Sequence, residues 1–122
     1  MLRLESQAPS PTLTVSVERR SGVVVVDVEG NLDLDGVPRL CAAIEESQGP
    51  YGPERVIVVL SRVGFCDSSG IRALVGAARE VRARGGRLDV VAPEDAPVQR
   101  MIAATGAAEF LGVRASLEPP SS

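Results

Sequence analysis

The chain opens with alternating apolar and polar side chains. Residues 12–18 place an apolar residue at every second position, which predicts a strand with one buried face. Residues 19–22 have the polar, glycine-containing composition of a turn, and the valine-rich residues 23–29 predict a second strand. We expect the two strands to pair as a β-hairpin, and their four-residue connection leaves the turn type open.

Helical spacing replaces this alternation after a loop at residues 30–36. Apolar side chains then recur three and four residues apart, which predicts an amphipathic helix of modest length. These side chains are Val37, Leu40, Cys41 and Ile44. Asp35 is the expected N-cap of the helix, and Pro38 fits because proline is tolerated in a first turn.

The centre of the chain carries the two strongest patterns. Residues 56–60 are continuously apolar, which is typical of a central strand that is buried on both faces. A second helix follows, predicted by a single apolar stripe that ends before the two glycines at residues 85–86. The stripe consists of Ile71, Leu74, Val75, Ala78 and Val81.

Three further elements complete the predicted order. Residues 88–92 indicate a short strand, residues 94–104 a third helix that Gly106 ends, and residues 110–115 a last strand. Strands that are separated by helices need crossover connections. The order β-β-α-β-α-β-α-β therefore predicts an α/β fold with a mixed, mostly parallel sheet and helices packed on it.

At 122 residues the chain has the length of a single domain, which we expect to span residues 12–116. Residues 1–11 are expected to form a flexible leader and the proline-rich residues 117–122 a flexible tail. The N-terminus lacks the apolar stretch of a signal peptide, and the apolar runs are too short to cross a bilayer. We therefore expect a cytoplasmic protein without a membrane partner.

Composition argues against several classes of function. The net charge is −3 and only 2% of the residues are aromatic, whereas nucleic-acid partners select basic surfaces and aromatic stacking platforms. The chain has no histidine, and all 13 basic residues are arginine. Ser–His, Cys–His and Ser–Lys catalysis and His-ligated zinc are therefore excluded within one chain. We expect no enzymatic activity, no nucleic-acid partner and no cofactor.

The two cysteines do not make a disulfide framework, and their spacing fits no metal site. Cys41 lies on the apolar stripe of the first predicted helix and is expected to be a small core residue. Cys66 lies beside the polar segment considered next. A redox role for Cys66 is an alternative, although no cationic neighbour in the sequence indicates a lowered thiol pKa.

Residues 63–71 are the most informative segment for function, because they join the apolar central strand to the strongest predicted helix. They contain Asp67, Ser68, Ser69 and Gly70 in succession. Ser68 or Ser69 is the expected N-cap, where unpaired backbone N–H groups and the helix dipole favour an oxygen or an anion. An ordinary capped helix start explains the same residues.

The same segment resembles the signature of the STAS domain, as found in bacterial anti-sigma factor antagonists of the sporulation and general-stress type. Residues 30–33 (Gly-Asn-Leu-Asp) are similar to the Gly-Glu-(Leu/Ile)-Asp that follows the second strand in that family. Pro38 and Leu40 lie where its first helix often has these residues. Residues 98–106 are similar to its third helix and Thr/Ser-Gly end. The resemblance covers residues 12–116 and implies a STAS-like single domain.

The resemblance also implies a mechanism. In that family the serine directly after the aspartate, here Ser68, is phosphorylated by an anti-sigma factor that is also a serine protein kinase. The unphosphorylated protein binds the kinase and frees the sigma factor, phosphorylation ends the binding, and a PP2C-type phosphatase resets the protein. By the same match, Asp33 and Asp67 flank the phosphorylation site. The expected partner-binding residues are Asp33, Asp67, Ser68, Ser69 and Gly70.

The sequence departs from the family pattern in three places. Asn31 replaces the usual glutamate, Gly36 stands where a threonine or serine cap is common, and residues 117–122 are too short for the family's fourth helix. Simpler roles exist for the two aspartates: Asp33 caps its loop, and Asp67 fixes loop geometry by an Asx-type hydrogen bond.

Two other functions are alternatives. One is a STAS accessory subunit that docks on a transporter or a stress-signalling complex without phosphate chemistry, since one fold serves many functions. The other is a small hydrolase that uses Ser68 as its nucleophile. The hydrolase ranks last because the chain has no base that could activate the hydroxyl.

Overall fold

Four strands form one mixed sheet in the computed structural model, which describes residues 13–20, 22–48 and 55–115. The strands are β1 (Leu13–Arg20), β2 (Val23–Leu32), β3 (Arg55–Cys66) and β4 (Arg87–Val91), and their order in the sheet follows the chain. β1 pairs antiparallel with β2, and the β2–β3 and β3–β4 pairs are parallel. The predicted hairpin and the mixed, mostly parallel sheet are confirmed.

Alternation decides which face of the sheet is buried. In β2, Val24, Val26 and Val28 are fully buried, while the valines between them are only partly covered. β3 repeats the pattern, with Val56 and Val58 fully buried and Ile57 partly covered. The prediction that residues 56–60 are buried on both faces is therefore wrong. A continuous apolar run also suits a strand whose second face is only half covered.

Three helices pack against the sheet, the third of them against β3. α1 (Val37–Gln48) packs on β1 and β2, α2 (Ser68–Ala83) packs on β3 and β4, and the two helices contact each other. Most of the predicted stripe of α2 points into the core: Ile71, Leu74, Ala78 and Val81 are at most 3% exposed, whereas Val75 is only partly buried. Burial of such side chains stabilises each helix against its sheet by roughly 1.5–3 kcal/mol per large residue.

α3 (Pro97–Thr105) begins three residues later than predicted. Residues 93–96 form a turn in which the Ala96 N–H donates to the Pro93 carbonyl, and Pro97 then stands in the first turn of the helix. α3 ends at Gly106, as predicted, and this glycine adopts a left-handed conformation with φ of 77°. A glycine is favoured there because its missing Cβ removes the steric penalty of positive φ.

The predicted last strand at residues 110–115 is wrong in most of its length. A short helix, α4 (Ala108–Leu111), takes its place, and only Arg114 forms a parallel bridge, with Val91 of β4. Phe110 is partly buried against the core, and Arg82 of α2 places its guanidinium 4.2 Å from the centre of the ring and donates a 2.7 Å hydrogen bond to the Phe110 carbonyl. The predicted leader at residues 1–11 and tail at residues 117–122 lie outside the described residues.

A buried carboxylate joins the strands near their amino ends. Asp89 is 2% exposed and accepts from Arg55 at 3.1 Å and from Arg87 at 3.2 Å. Two partners satisfy a charge that would otherwise be costly to bury. Both arginines are the first residues of their strands, so this ion-pair cluster lies at the end of the sheet opposite to the carboxyl ends of β2 and β3. None of the described helices is long and apolar enough to span a membrane.

Candidate functional site

Two loops meet at the carboxyl ends of β2 and β3. The last residues of these parallel strands, Leu32 and Cys66, are partners in the sheet register. The Asp67 N–H donates to the Leu32 carbonyl at 3.2 Å, so the β3–α2 junction is fastened directly to the end of β2. Asp33 follows Leu32 and Ser68 follows Asp67. The structure therefore brings together the two segments on which the sequence placed the candidate site.

Asp67 is the N-cap of α2. Its backbone is extended, and its Oδ1 accepts from the N–H groups of Ser69 at 3.0 Å and Gly70 at 3.2 Å. The predicted N-cap at Ser68 or Ser69 is therefore wrong, because the carboxylate one residue earlier already satisfies the free N–H groups of the first turn. The Asx-type role that was an alternative for Asp67 is what the geometry shows.

Because Asp67 caps the helix, the Ser68 side chain is not needed for capping in the described part of the chain. Ser68 is the first residue of α2, its side chain is exposed, and its hydroxyl forms no hydrogen bond to the described part of the chain. Ser69 is half-buried by comparison. An exposed and unengaged hydroxyl at a helix N-terminus is available to a modifying enzyme or to a partner protein.

Replacing the cap tests this division of roles. We expect Asp67→Ala to lower the free energy of unfolding by about 1 kcal/mol, because two N–H groups lose their acceptor. Asp67→Asn should lose less, since an amide oxygen also accepts hydrogen bonds, and Asp35→Ala, at an exposed carboxylate, serves as the control. Urea unfolding followed by circular dichroism measures all three. A wild-type midpoint for Asp67→Ala would show that the cap contributes nothing to stability.

Asp33 closes the loop between β2 and α1. Its Oδ1 accepts from the Gly36 N–H at 3.1 Å, and its carbonyl accepts from Gly36 at 3.0 Å and Val37 at 3.1 Å. The prediction of Asp35 as the N-cap of α1 is wrong, since the carboxylate that holds this turn belongs to Asp33 and Asp35 is exposed. The simpler role of Asp33, as the cap of its own loop, is therefore realised.

Two glycines lie in tight contact beside the site. A Cβ on Gly70 would lie 2.7 Å from both the Cγ and the carbonyl oxygen of Leu32, closer than van der Waals contact allows. A Cβ on Gly36 would lie 3.1 Å from the Asn31 carbonyl and 3.2 Å from the Leu13 Cβ. A threonine or serine at residue 36 would need small shifts of these neighbours. Both glycines allow helix starts to approach the end of β2 closely.

The two thiols near the helices are poor nucleophiles. Burial, and to a smaller degree the neighbouring Asp67 carboxylate, raises the pKa of Cys66 to about 11. Burial, followed by the charges of Glu45 and Glu80, also raises the pKa of Cys41. Because the thiolate is the reactive form, both groups are protonated and slow to oxidise at neutral pH. Cys41 is half-buried, so the expectation of a core residue is only partly met.

Sequence reasoning missed two apolar side chains at the same edge. Leu34, between the two loop aspartates, is 69% exposed, and Phe65, near the end of β3, is 50% exposed. Both side chains lie at the edge of the sheet that carries Ser68, so they add apolar surface to the candidate site. A leucine flanked by two aspartates in a predicted loop was the available signal for Leu34. Among the described residues no group of three or more metal-ligating side chains comes together.

Comparison with known proteins agrees with this geometry. A family model of the STAS domain matches residues 14–119. The anti-sigma F factor antagonist of Paenibacillus polymyxa is 26% identical over 94 residues, which cover 77% of this chain and 80% of that protein. Among solved structures, an anti-sigma factor antagonist from Mycobacterium paratuberculosis is 30% identical, with a TM-score of 0.76 over 86% of this chain and 87% of that chain.

A third relative, SpoIIAA, has been solved in two covalent states. The unphosphorylated antagonist is 25% identical, with a TM-score of 0.67 over 84% of this chain and 90% of that one. The phosphorylated form of the Bacillus protein, also 25% identical, has a TM-score of 0.64 over 86% of this chain and 93% of that one. The family model matches most of this chain, and the relatives share its fold. The chain therefore belongs to the STAS domain family.

Proposed function

We propose that this protein is an anti-sigma factor antagonist that is switched by phosphorylation of Ser68. In its unphosphorylated form it binds an anti-sigma factor that is also a serine protein kinase, and the sigma factor is released. Phosphorylation by that kinase ends the binding, and a PP2C-type phosphatase restores it. The protein acts in the cytoplasm as a regulator and has no catalytic activity of its own.

The observation that carries the proposal is that Asp67, and not Ser68, caps α2. A serine that caps a helix has its oxygen engaged by backbone N–H groups and is hidden from a kinase. Here the aspartate accepts those hydrogen bonds, and the serine hydroxyl is exposed at the end of a rigid helix. The helix fixes the backbone of Ser68, and the hydroxyl has an open approach, which favours both recognition and phosphoryl transfer.

The relatives support the same function. All three are named as anti-sigma factor antagonists, and SpoIIAA has been obtained in both phosphorylated and unphosphorylated forms. The proposed partner-binding surface comprises Asp33, Asp67, Ser68, Ser69 and Gly70. Asp33 and Asp67 contribute mainly by shaping their loops, because each carboxylate already accepts a backbone hydrogen bond. Gly70 is buried and allows the close packing that positions Ser68.

Phosphorylation by a cognate kinase is the direct test. The purified protein is incubated with ATP and, separately, with each anti-sigma factor kinase of the same organism, and the intact mass is measured. We expect one phosphate per chain with at least one kinase, peptide mapping that places it on Ser68, and no mass increase for Ser68→Ala. Ser69→Ala is the matched control and should still accept phosphate. Phosphate on another residue, or its persistence in Ser68→Ala, would contradict the proposed switch.

A further inference from the structure

A groove lies between α1 and α2 and opens at the same edge as Ser68. It has a volume of about 420 Å³ and runs from Leu34 and Ser69 at one end to Glu45 and Glu80 at the other. Its walls are mostly apolar, with Val37 and Ile44 on the α1 side. The groove therefore continues the proposed partner surface along the outer side of the two helices, away from the sheet.

The α2 side of the groove is built from small residues. Ala73, Gly76 and Ala77 line it, and a Cβ on Gly76 would have nothing within 4 Å. From Ser69 to Glu80 the wall is roughly 16 Å long at 1.5 Å per residue, the length of three helical turns. Apolar walls, small residues and this length suit an amphipathic helix that lays its apolar face into the groove.

Charge differs between the two ends of the groove. Arg72 lies beside Ser69, whereas Glu45 and Glu80 lie together at the far end. Both glutamates raise the pKa of Cys41, which places their charges close to the groove wall. A helix that binds along the groove is therefore favoured when it carries an acidic residue near Arg72 and a basic residue near the two glutamates.

We propose that the groove is a second half of the partner-binding surface and receives an amphipathic helix of the anti-sigma factor kinase. The helix presents an apolar face of about three turns, an acidic residue to Arg72 and a basic residue to Glu45 and Glu80. This inference rests on the proposed function, but it does not depend on phosphate, since the groove is a contact separate from the Ser68 hydroxyl.

Filling the groove from Gly76 tests the proposal. The kinase that phosphorylates the wild-type protein is titrated by calorimetry, without ATP, against wild type, Gly76→Leu and Glu80→Arg. Gly76→Leu should weaken binding about tenfold or more, because its side chain occupies the helix site. Glu80→Arg should weaken it several-fold. Ala104→Leu, at an exposed position of α3, is the control and should bind as wild type does. Melting temperatures verify that all variants are folded.

The native cysteines provide a second readout. Cys41 lines the groove, whereas Cys66 is buried beneath the site, so a kinase helix in the groove should slow alkylation of Cys41 by iodoacetamide at least several-fold and leave Cys66 unchanged. Wild-type binding by folded Gly76→Leu, with Cys41 unprotected, would overturn the groove inference and leave the Ser68 switch standing. Failure of every kinase to bind the wild-type protein would overturn both. If alkylation of Cys41 slows when the protein alone is concentrated, without kinase, the groove binds a second copy of this chain. That result would overturn the proposal of a kinase helix.

Discussion

Phosphorylation of Ser68 is expected to weaken binding to the cognate anti-sigma factor kinase about a hundredfold while changing the melting temperature little. A phosphoserine adds about −1.5 to −2 charges at neutral pH. Across an interface, one unit charge about 6 Å from a like charge costs roughly 3 kcal/mol at an effective dielectric near 20, before salt screening. That energy corresponds to about two orders of magnitude in affinity.

The effect on folding is small because the cap is already occupied. A phosphate at a helix N-terminus usually gains about 0.3–1 kcal/mol from the dipole. Here the Asp67 carboxylate holds the N–H groups of Ser69 and Gly70, and its own negative charge lies next to the new phosphate. Attraction to the helix end and repulsion from Asp67 oppose each other. The modification therefore acts on binding and not on stability.

Calorimetry of the purified phosphorylated and unphosphorylated forms with the kinase measures the difference in affinity. Thermal unfolding of the two forms measures the change in melting temperature. Ser68→Asp should reproduce part of the loss, since it carries a smaller charge than a phosphate. Ser68→Ala should bind as the unphosphorylated protein does and should not be released by ATP. Equal affinity of the phosphorylated and unmodified proteins would falsify the switch.

Gly70→Ala is expected to lower the free energy of unfolding by about 2 kcal/mol, the largest stability effect that we expect at the site. The new Cβ would lie 2.7 Å from the Leu32 Cγ and 2.7 Å from the Leu32 carbonyl oxygen. The leucine side chain can rotate, but the carbonyl belongs to the backbone of a central strand. Overpacking costs roughly 1–3 kcal/mol, and a clash with backbone lies at the upper end of that range. Subtracting a helix-propensity gain of about 1 kcal/mol leaves the expected loss of about 2 kcal/mol.

A second glycine in the same helix separates the steric effect from the propensity effect. Gly76 is exposed in α2, and its Cβ position is open, so Gly76→Ala should raise the free energy of unfolding by up to about 1 kcal/mol. Urea unfolding of both variants measures the two changes in the free energy of unfolding, which should be negative for Gly70→Ala and positive for Gly76→Ala. If Gly70→Ala proves as stable as wild type, the start of α2 can move away from β2, and the position of Ser68 is less fixed than the structure indicates.

The periodicity of apolar residues was sufficient to predict elements that bury a single face against a single neighbouring element. The stripe of α2 predicted its buried residues because one helix face meets one sheet face. Periodicity was not sufficient for β3, which extends to Cys66, six residues beyond its predicted end. Two irregularities in the pairing with β2 shift the phase, so Val63 and Cys66 are buried three residues apart and the alternation is lost. A pattern search reads such a stretch as loop.

The site was located from the sequence, but its internal roles were not. Asp67, Ser68 and Ser69 are all good N-caps, and only the backbone at Asp67 decides which of them accepts the hydrogen bonds. The need for glycine at residue 70 was equally hidden, because it depends on contact with Leu32, far away in the chain. The groove depends on how closely α1 and α2 approach, which no local pattern encodes.

The strand order of the sheet has a consequence for how the chain acquires its structure. Each strand from β2 to β4 pairs with the strand that precedes it in the sequence, so no strand has to be inserted between two that have already paired. During synthesis the sheet can grow in one direction as the chain leaves the ribosome, beginning with the local β1–β2 hairpin. The β3–α2 junction that carries Ser68 is fastened to the end of β2 and needs only the β2–β3 pair, so it can form before β4 joins the sheet. β4 then covers the edge of β3 only from Arg55 to Val59, so the later α3 still has to pack against β3 before the fold is complete.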